Sequence, residues 1–309
     1  MAASPLYLDA ARLLAVLTPQ RALAAVQEFF GQTPRDQVAV PPRIHLPVPG
    51  RSTIGLYMPA ATGDFVGVKL VHLMPERKPA VAAEVFLYEA ETGELLFWGD
   101  GRPLTALRTA AVSTAAGLRL RESAEALLVF GGGVQAAAHL KALAAAYGGL
   151  TSLKAVTRTA EGFAGLQAML SPALRERVVR GTDVRADVGA ADLVVMTTPA
   201  PEPLFAWDDV HPRAQVLAVG SATPAMNEVP PAAFINSQVW VDTPTALEEA
   251  GDCQAAVRAG WSPETLAGDL FDLLAGPAPQ AAAHTLFKSV GHAAQDLAIL
   301  IALWREVAP

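Results

Sequence analysis

An apolar run followed by three glycines stands near the middle of the chain, in the sequence Leu-Leu-Val-Phe-Gly-Gly-Gly-Val-Gln-Ala of residues 127–136. This pattern predicts a strand, a tight turn and a helix. Gly131 would permit the turn, Gly133 would let the backbone approach a ligand, and Ala136 would let the helix lie close to the strand. The unpaired N–H groups at such a helix start attract anions. The segment therefore predicts a site for the pyrophosphate of a dinucleotide.

The loop after the next predicted strand bears on which nicotinamide dinucleotide is bound. An acid that holds the ribose hydroxyls usually stands about 20 residues beyond the glycine turn. Here the run Leu153–Val156 ends instead in Thr157, Arg158 and Thr159. A guanidinium flanked by hydroxyls would bind a 2′-phosphate, which a carboxylate would repel. We expect NADP(H) to be preferred, with NAD(H) possible; an ordinary polar loop is the alternative.

Three basic residues in the N-terminal half could hold an anionic substrate. Arg43 ends a proline-rich stretch, Lys69 lies in a β-like run, and Arg108 lies in a helix rich in alanine and threonine. Arginine grips a carboxylate through two donors. A lysine near other cations has its charged form disfavoured, which suits it to proton transfer. Taken singly, the arginines would be surface or salt-bridge residues and Lys69 an edge-strand lysine.

The elements that carry these residues follow two patterns. The first part of the chain combines helical periodicity with short β-like runs, two of them joined as a hairpin. Its expected elements are a helix over Asp9–Phe30, strands at Ser52–Met58, Phe65–Leu73, Val81–Tyr88 and Leu95–Trp98, and a helix over Leu104–Leu120. We predict an α+β domain here.

After Glu122 strands and helices alternate, which is typical of a parallel sheet with right-handed crossovers. Strands are expected at Leu127–Phe130, Leu153–Val156, Leu193–Thr197, Gln215–Val219 and Val239–Val241, and helices at Gln135–Ala146, Glu161–Leu170 and Gly291–Val307. The predicted class is α/β, with a Rossmann-like dinucleotide-binding domain over residues 121–291. The final helix, within residues 292–309, could pack back on the domain formed by residues 1–120.

Composition excludes several functional classes. The 309 residues carry a net charge of −7 and contain no run of Lys or Arg, so a nucleic-acid partner is not expected. The single cysteine, Cys253, rules out an internal disulfide framework. No histidine spacing suggests a metal site, no apolar run is long enough to span a membrane, and Asp9 and Arg12 interrupt any signal-peptide pattern. We expect a cytoplasmic protein with no membrane partner.

Three segments together carry a family resemblance. Residues 104–113 read Leu-Thr-Ala-Leu-Arg-Thr-Ala-Ala-Val-Ser, and residues 287–291 read Phe-Lys-Ser-Val-Gly. With the glycine turn, in this order and spacing, they resemble the ornithine cyclodeaminase/μ-crystallin family over nearly the whole chain. The resemblance implies a homodimer whose subunits have an N-terminal substrate-binding and dimerisation domain and a Rossmann domain for NAD(H) or NADP(H). It also implies reactions of amino-acid metabolism that pass through imines of amino or keto acids.

The resemblance also implies roles for individual residues. It places Arg43, Lys69 and Arg108 in the substrate site, with catalysis assigned to Lys69 and Arg108, and it puts Glu249 near the substrate pocket, where a solvated helix face is an equal alternative. Arg158 matches an arginine of the NADP(H)-using branch. The expected cofactor site comprises Arg108, Thr109, Gly131, Gly133, Val134, Gln135, Thr157, Arg158, Thr159, Thr197, Val219 and Ser289.

One departure from the family pattern affects the expected reaction. Ornithine cyclodeaminases carry an Asp and a Lys in the segment after the strand at 215–219, where this chain has Ala222 and Met226. Alanine cannot accept a proton or orient an amine. The first hypothesis is therefore an NAD(P)-dependent oxidoreductase acting on a small amino acid or its cyclic imine. The alternatives are an NAD-dependent ornithine cyclodeaminase, which forms proline and ammonia, and an NADPH-dependent binding protein with little turnover.

Overall fold

The computed structural model describes residues 5–308, which form two compact units. The first unit contains the described residues up to Thr109 and those from His292 onward; the second is Ala110–Gly291. The division falls within a continuous helix, Gly101–Leu120, whereas the sequence pattern placed the boundary after residue 120. The alternation of strands and helices begins only after that helix, so the pattern could not show where the contacts divide.

The first unit is built on a six-stranded sheet in the order β1-β6-β5-β4-β3-β2, in which β1 pairs parallel with β6 and the other pairs are antiparallel. The expected hairpin is present as β5 and β6. The strands are β1 (Leu6–Leu8), β2 (Ile44–Pro47), β3 (Ile54–Ala61), β4 (Phe65–Leu73), β5 (Val81–Glu89) and β6 (Leu95–Asp100). The helices are α1 (Ala10–Val16), α2 (Pro19–Gln32), α3 (Gly101–Leu120) and, from the C-terminal segment, α12 (Ala293–Val307).

The single helix expected over Asp9–Phe30 is wrong: the segment forms two helices, α1 and α2. The Thr18 side chain accepts a hydrogen bond from the N–H of Arg21 (3.2 Å), and Pro19 stands at the first position of α2. Proline disfavours helical backbone in the residue before it, so Thr18 ends one helix region and caps the next. The apolar periodicity continues across this break, which is why the pattern suggested one helix.

Helix α12 packs closely on the inner face of the sheet. Alternate residues of β4 (Gly67, Lys69 and Val71) are buried. A Cβ atom at Gly67 would come within 2.9 Å of Leu297 Cδ1, so glycine is what allows α12 to approach this strand. The close approach brings the first turns of α12 over the middle of β4, where Lys69 lies.

The second unit is a seven-stranded, all-parallel sheet in the order β12-β13-β11-β10-β7-β8-β9. Its strands are β7 (Ala126–Phe130), β8 (Ser152–Val156), β9 (Val178–Arg180), β10 (Leu193–Met196), β11 (Gln215–Ala218), β12 (Gln238–Val241) and β13 (Thr285–Lys288). Its helices are α4 (Val134–Ala146), α5 (Ala160–Ala168), α6 (Pro172–Arg177), α7 (Val184–Gly189), α8 (Pro231–Ile235), α9 (Ala246–Glu249), α10 (Gly251–Arg258) and α11 (Leu270–Ala275). Short 3₁₀ turns occur at Arg35–Gln37, Trp207–Asp209 and Pro263–Thr265.

This sheet confirms the predicted α/β class with a Rossmann-like domain. The chain starts at β7 and moves outward to β8 and β9, then returns to β10 on the other side of β7. Ligands of open α/β sheets bind at the carboxyl ends of the strands where the order reverses in this way. The glycine turn follows β7 directly, so the fold places it at that point. Among residues 5–308, no helix is long and apolar enough to cross a membrane.

Candidate functional site

The glycine turn after β7 is held by the neighbouring strand ends. Gly131 has φ +129°, a conformation that other residues rarely adopt, and a Cβ atom there would overlap the hydroxyl of Thr197. That hydroxyl donates to the carbonyl of Phe130 (2.7 Å), and the N–H of Gly131 donates to the carbonyl of Val156 (3.0 Å). The conformation of the turn and the packing of Thr197 therefore require glycine at position 131, and the Thr197 side chain supports the turn.

The start of α4 is open in a way that suits an anion. Gly133 is its N-cap, and no side chain in the described part of the chain caps it. A Cβ atom at Gly133 would meet nothing within 4 Å, and Val134 is 62% exposed although it is apolar. Ala136 is fully buried against the sheet. Since the protein leaves this space empty and the helix N–H groups uncapped, the turn fits a dinucleotide pyrophosphate.

The loop after β8 lies beside the turn. A Cβ atom at Gly132 would be 3.2 Å from Thr157 Cγ2 and 3.0 Å from the carbonyl of Gly162. The Thr157 hydroxyl donates to the carbonyl of Thr159 (2.8 Å), whose own side chain accepts from the N–H of Gly162 (3.1 Å). Arg158 is exposed between them. The structure thus brings the turn and the predicted 2′-phosphate loop together.

Three other expected cofactor residues stand directly after strands of the same sheet edge. Thr197 follows β10, Val219 follows β11 and Ser289 follows β13. The Ser289 hydroxyl donates to Asp242 (2.7 Å), which leaves its oxygen lone pairs for a ligand. Gln135, in the first turn of α4, has a buried Oε1 without a hydrogen-bond partner among residues 5–308. The assignment of these residues to a cofactor remains a prediction.

A buried carboxylate that the sequence analysis did not single out joins two of these strand ends. Glu228 accepts hydrogen bonds from the Thr198 N–H (2.8 Å) and hydroxyl (2.9 Å), the Gly220 N–H (2.6 Å) and the Ser221 N–H (3.0 Å). Thr198 lies beyond β10, and the two others lie beyond β11. Burial raises the pKa of Glu228, as does the charge of Asp252, while Lys288 and the hydrogen bonds from Thr198 act in the opposite direction. Glu228 fixes both loops at the carboxyl edge of the sheet.

A buried ion pair, formed by Lys288 and Asp252, adjoins Glu228. We call these three residues the Glu228 network (Glu228, Asp252 and Lys288). Lys288 Nζ lies 2.8 Å from Asp252 Oδ2, and both side chains are completely buried. Asp252 Oδ1 accepts from the N–H groups of Glu228 (2.7 Å) and Val229 (3.2 Å). The network therefore connects the end of β13 to the loop after β11. Lys288 belongs to the Phe-Lys-Ser-Val-Gly segment, the one sequence signal that pointed to it.

The loop after β11 contains the two positions that depart from the family pattern. Ala222 and Met226 lie between residues that are held in place, because the Ser221 hydroxyl donates to the carbonyl of Met226 (2.7 Å). Both side chains are half-buried. Neither can take a proton, and the polar contacts of this loop serve its own conformation.

The first unit contains a buried ionic cluster, here called the Lys69 cluster (Lys69, Arg108, Gln295 and Asp296). Lys69 Nζ lies 2.9 Å and 2.7 Å from the two oxygens of Asp296. Arg108 Nε lies 3.0 Å from Asp296 Oδ1, and Arg108 Nη1 lies 2.5 Å from Gln295 Oε1. Strand β4 supplies Lys69, α3 supplies Arg108, and the first turns of α12 supply the other two. A single carboxylate thus orients both of the predicted catalytic cations.

The electrostatics of this cluster lower the pKa of Lys69. Burial lowers the pKa of Lys69 to about 8 against the opposing attraction of Asp296, and Arg108 and Arg43 lower it further. Burial by itself would raise the pKa of Asp296, but Lys69 and Arg108 hold it below its usual value. Asp296 is therefore a carboxylate at neutral pH, and Lys69 changes its charge close to physiological pH.

The remaining predicted residues occupy different places. Arg43 is half-buried just before β2 and acts electrostatically on Lys69, so it belongs to the surroundings of the cluster. Thr109 follows Arg108 and donates its hydroxyl to the carbonyl of Thr105 (2.8 Å). Glu249 ends α9 in the second unit. Sequence reasoning did not assign Gln295 and Asp296 a role; they open the sequence Gln-Asp-Leu-Ala of residues 295–298, which follows the Phe-Lys-Ser-Val-Gly segment by three residues. Within residues 5–308, no group of three or more His, Cys, Asp or Glu side chains could hold a metal ion.

Comparisons with known proteins agree with this architecture. The profile of the ornithine cyclodeaminase/mu-crystallin family matches residues 9–307. The Delta(1)-pyrroline-2-carboxylate reductase of Bacillus cereus is 30% identical over 92% of this chain and 90% of its own. The ketimine reductase mu-crystallin of Mus musculus is 30% identical over 89% of this chain and 87% of its own.

A solved structure extends the comparison to the fold. The Delta(1)-pyrroline-2-carboxylate reductase of Thermococcus litoralis, in complex with NADH and L-proline, superposes with a TM-score of 0.88, covering 97% of each chain at 23% identity. The family match spans both units, including the glycine turn and the Lys69 cluster. The chain therefore belongs to the ornithine cyclodeaminase/mu-crystallin family.

Proposed function

We propose that this protein is an NAD(P)H-dependent oxidoreductase that reduces cyclic imino acids to amino acids. The observation that carries the proposal is the Lys69 cluster, in which a buried lysine with a pKa of about 8 is oriented by Asp296 beside Arg108. Both curated relatives described above are named as reductases of imines, which supports the same class of substrate.

The charge balance of the cluster favours an anionic substrate. Within the cluster, Lys69 and Arg108 carry two positive charges and Asp296 carries one negative charge. Asp296 and Gln295 engage Nε and Nη1 of Arg108, which leaves the hydrogens of Nη2 for a ligand. A substrate carboxylate would bind to Arg108 and Arg43 because charge-assisted hydrogen bonds from arginine are strong and directional.

Lys69 is the residue suited to supply a proton. Reduction of an imine requires the imine nitrogen to be protonated as the carbon accepts hydride, and the bound nicotinamide cofactor supplies that hydride. Lys69 holds a transferable proton below pH 8, and Asp296 orients its ammonium group. In the opposite direction the neutral amine of Lys69 would take the proton from the amino acid.

The cofactor proposed for this reaction is NADP(H), with NAD(H) as a weaker alternative. Thr157, Arg158 and Thr159 stand where an acid would hold the ribose of NAD(H), and Arg158 is exposed beside the glycine turn. The open helix start at Gly133 would hold the pyrophosphate of either cofactor.

Steady-state assays with defined substrates test this function. We expect oxidation of NADPH, faster than of NADH at equal concentration, when Δ1-pyrroline-2-carboxylate is supplied. Formation of proline from ornithine with NAD⁺ would contradict the proposal, because Ala222 replaces the carboxylate expected in a cyclodeaminase. Firm NADPH binding without turnover of any cyclic imine would instead favour a binding protein.

The rate of reduction is expected to depend on pH through Lys69. Since the pKa of Lys69 is lowered to about 8, the general acid is protonated below that pH and is lost above it. We expect kcat/KM for reduction to be level below pH 8 and then to fall about tenfold per pH unit. The corresponding fall in kcat should occur at higher pH, because the carboxylate of the bound substrate raises the pKa of Lys69. A profile of kcat/KM that is flat through pH 9.5 would rule out Lys69 as the acid.

Two glycine variants should separate cofactor binding from folding. Gly133 has φ −97° and open space around it, so Gly133→Ala should leave stability nearly unchanged but weaken NADPH binding by about tenfold or more. Gly131→Ala should lower the free energy of unfolding by more than about 1 kcal/mol, since φ is +129° and Thr197 occupies the space. Calorimetric titration and denaturant unfolding measure the two effects. Unchanged NADPH affinity in Gly133→Ala would contradict the pyrophosphate assignment.

We further propose that the protein is a homodimer formed through the outer face of the first unit's sheet. Tyr7 and Trp98 are 45% and 38% exposed there, with ring centroids 4.5 Å apart, and Phe86 stacks on Trp98. Exposed aromatic clusters of this kind are typical of protein interfaces. Sedimentation should give twice the 32.3 kDa chain mass, and Trp98→Glu should shift it to the monomer. A wild-type monomer at micromolar concentration would disprove the dimer.

A further inference from the structure

Arg180 stands at the carboxyl edge of the second unit's sheet, next to the predicted 2′-phosphate loop. It ends β9, and its Cα is paired with that of Ala155 in β8. The following residue, Gly181, donates its N–H to the carbonyl of Ala155 (2.9 Å). A Cβ atom at Gly181 would lie 2.9 Å from Val156 Cγ2 and 2.6 Å from Asp187 Oδ2. The end of β9 is therefore fixed tightly against the end of β8.

Strand alternation shows which face Arg180 occupies. Lys154 of β8 reaches Asp187 of α7, with Nζ 2.6 Å from Oδ1, so its side chain lies on the α7 face of the sheet. Ala155 and its register partner Arg180 point to the opposite face. Glu161, in the first turn of α5, interacts electrostatically with Arg180. Hydrogen bonds from its own N–H and from Thr159 are the main causes of its lowered pKa, and the charge of Arg180 contributes.

The guanidinium of Arg180 is incompletely satisfied by the protein. Its Nε is buried and has no hydrogen-bond partner within residues 5–308. Buried donors are nearly always paired, so an unpaired one on a half-buried arginine calls for an explanation. Glu161 is a carboxylate on which Arg180 acts electrostatically, and the exposed Arg158 lies in the loop after β8, the strand that pairs with β9.

We propose that Arg180 is a specificity-determining residue of the cofactor site, which binds the 2′-phosphate of NADP(H) together with Arg158. A phosphate monoester carries about two negative charges and three acceptor oxygens, enough for two guanidinium groups. Arg158 approaches from the β8 loop, and Arg180 from the end of β9. Glu161 competes with the phosphate for Arg180. The inference rests on the proposed preference for NADP(H), which it deepens.

Binding measurements on the full-length protein test this role. Dissociation constants for NADPH and NADH are compared in the wild type and in single variants by fluorescence titration. We expect Arg180→Met to weaken NADPH binding by about tenfold while NADH binding stays within twofold, because only NADPH carries the phosphate. Glu161→Gln should tighten NADPH binding about threefold, since it removes the competing carboxylate. Arg185→Met is the matched control, because Arg185 is 83% exposed on α7, pairs with Asp209 and should leave both constants unchanged.

The outcomes separate this inference from the cofactor preference on which it depends. A wild type that binds NADH as well as NADPH refutes the preference itself. A wild type that prefers NADPH, with Arg180→Met unchanged for NADPH, refutes the role of Arg180 alone. Equal weakening for both cofactors would show that Arg180 supports the loop and does not bind phosphate, which also overturns the inference. Unfolding curves of each variant establish that it is folded.

Discussion

Lys69→Met is expected to lower kcat/KM for imine reduction by about 10³-fold, within the range that general acid–base catalysis contributes. The methionine side chain has a similar length and is apolar, so it can fill the buried position that Lys69 occupies. Asp296 would retain its interaction with Arg108 (3.0 Å), which keeps one countercharge in the cluster. The loss should therefore fall on proton transfer, and stopped-flow or steady-state oxidation of NADPH measures it.

Two further variants make this result specific. Asp296→Asn removes the charge that raises the pKa of Lys69, so the descending limb of the pH profile should move below pH 8. Arg305→Met, which removes a 59% exposed arginine that pairs with the 51% exposed Glu28, should leave activity within about twofold, because exposed ion pairs contribute little. Activity of Lys69→Met within tenfold of the wild type would show that another group protonates the imine.

Lys288→Met is expected to lower the free energy of unfolding by about 3–5 kcal/mol, the usual cost of breaking a buried ion pair. Lys288 and Asp252 are completely buried, and Glu228 lies in the same network. Lys288 pairs with Asp252 and lowers the pKa of Glu228, so its removal takes a positive charge away from two buried carboxylates. Chemical denaturation monitored by circular dichroism gives the change.

A double variant distinguishes the charge effect from lost packing. Lys288→Met combined with Asp252→Asn removes both charges but keeps an acceptor for the N–H groups of Glu228 and Val229. We expect it to recover most of the lost stability, because the charge of Asp252 is also removed and Glu228 keeps its hydrogen bonds from Thr198, Gly220 and Ser221. Arg305→Met again serves as the control and should change stability by at most about 1 kcal/mol, because its partner Glu28 is exposed. A cost for Lys288→Met no larger than that control would contradict the network.

Local sequence patterns predicted much of the fold because they reflect local physics. The glycine turn, the alternation of strands and helices and the hairpin all follow from nearest-neighbour geometry, and the structure contains each of them. The unbroken helix over Asp9–Phe30 was wrong because Thr18 and Pro19 interrupt the backbone without interrupting the apolar periodicity. Strand β13 (Thr285–Lys288) was not predicted, because its two polar ends leave only Leu286 and Phe287 as an apolar signal.

The site was less predictable because its contacts join residues far apart in the chain. Residue types suggested Lys69 and Arg108, and the structure brings them together, but their shared partner Asp296 lies 227 residues beyond Lys69. Which carboxylate meets which cation depends on the packing of α12 on β4, which periodicity does not encode. The residue type of Glu228 did not indicate that it is buried, since a glutamate in a loop is ordinarily solvated and the backbone N–H groups that surround it are seen only in the structure.

Transfer of a label from cofactor to product tests the proposed reaction most directly. NADPH deuterated at one or the other face of C4 is incubated with Δ1-pyrroline-2-carboxylate and the protein, and the product is analysed by mass spectrometry and NMR. We expect proline that carries one deuterium at its α-carbon from one of the two labelled forms. Unlabelled proline from both forms, or no proline from either, would contradict the reduction of an imino acid by this protein.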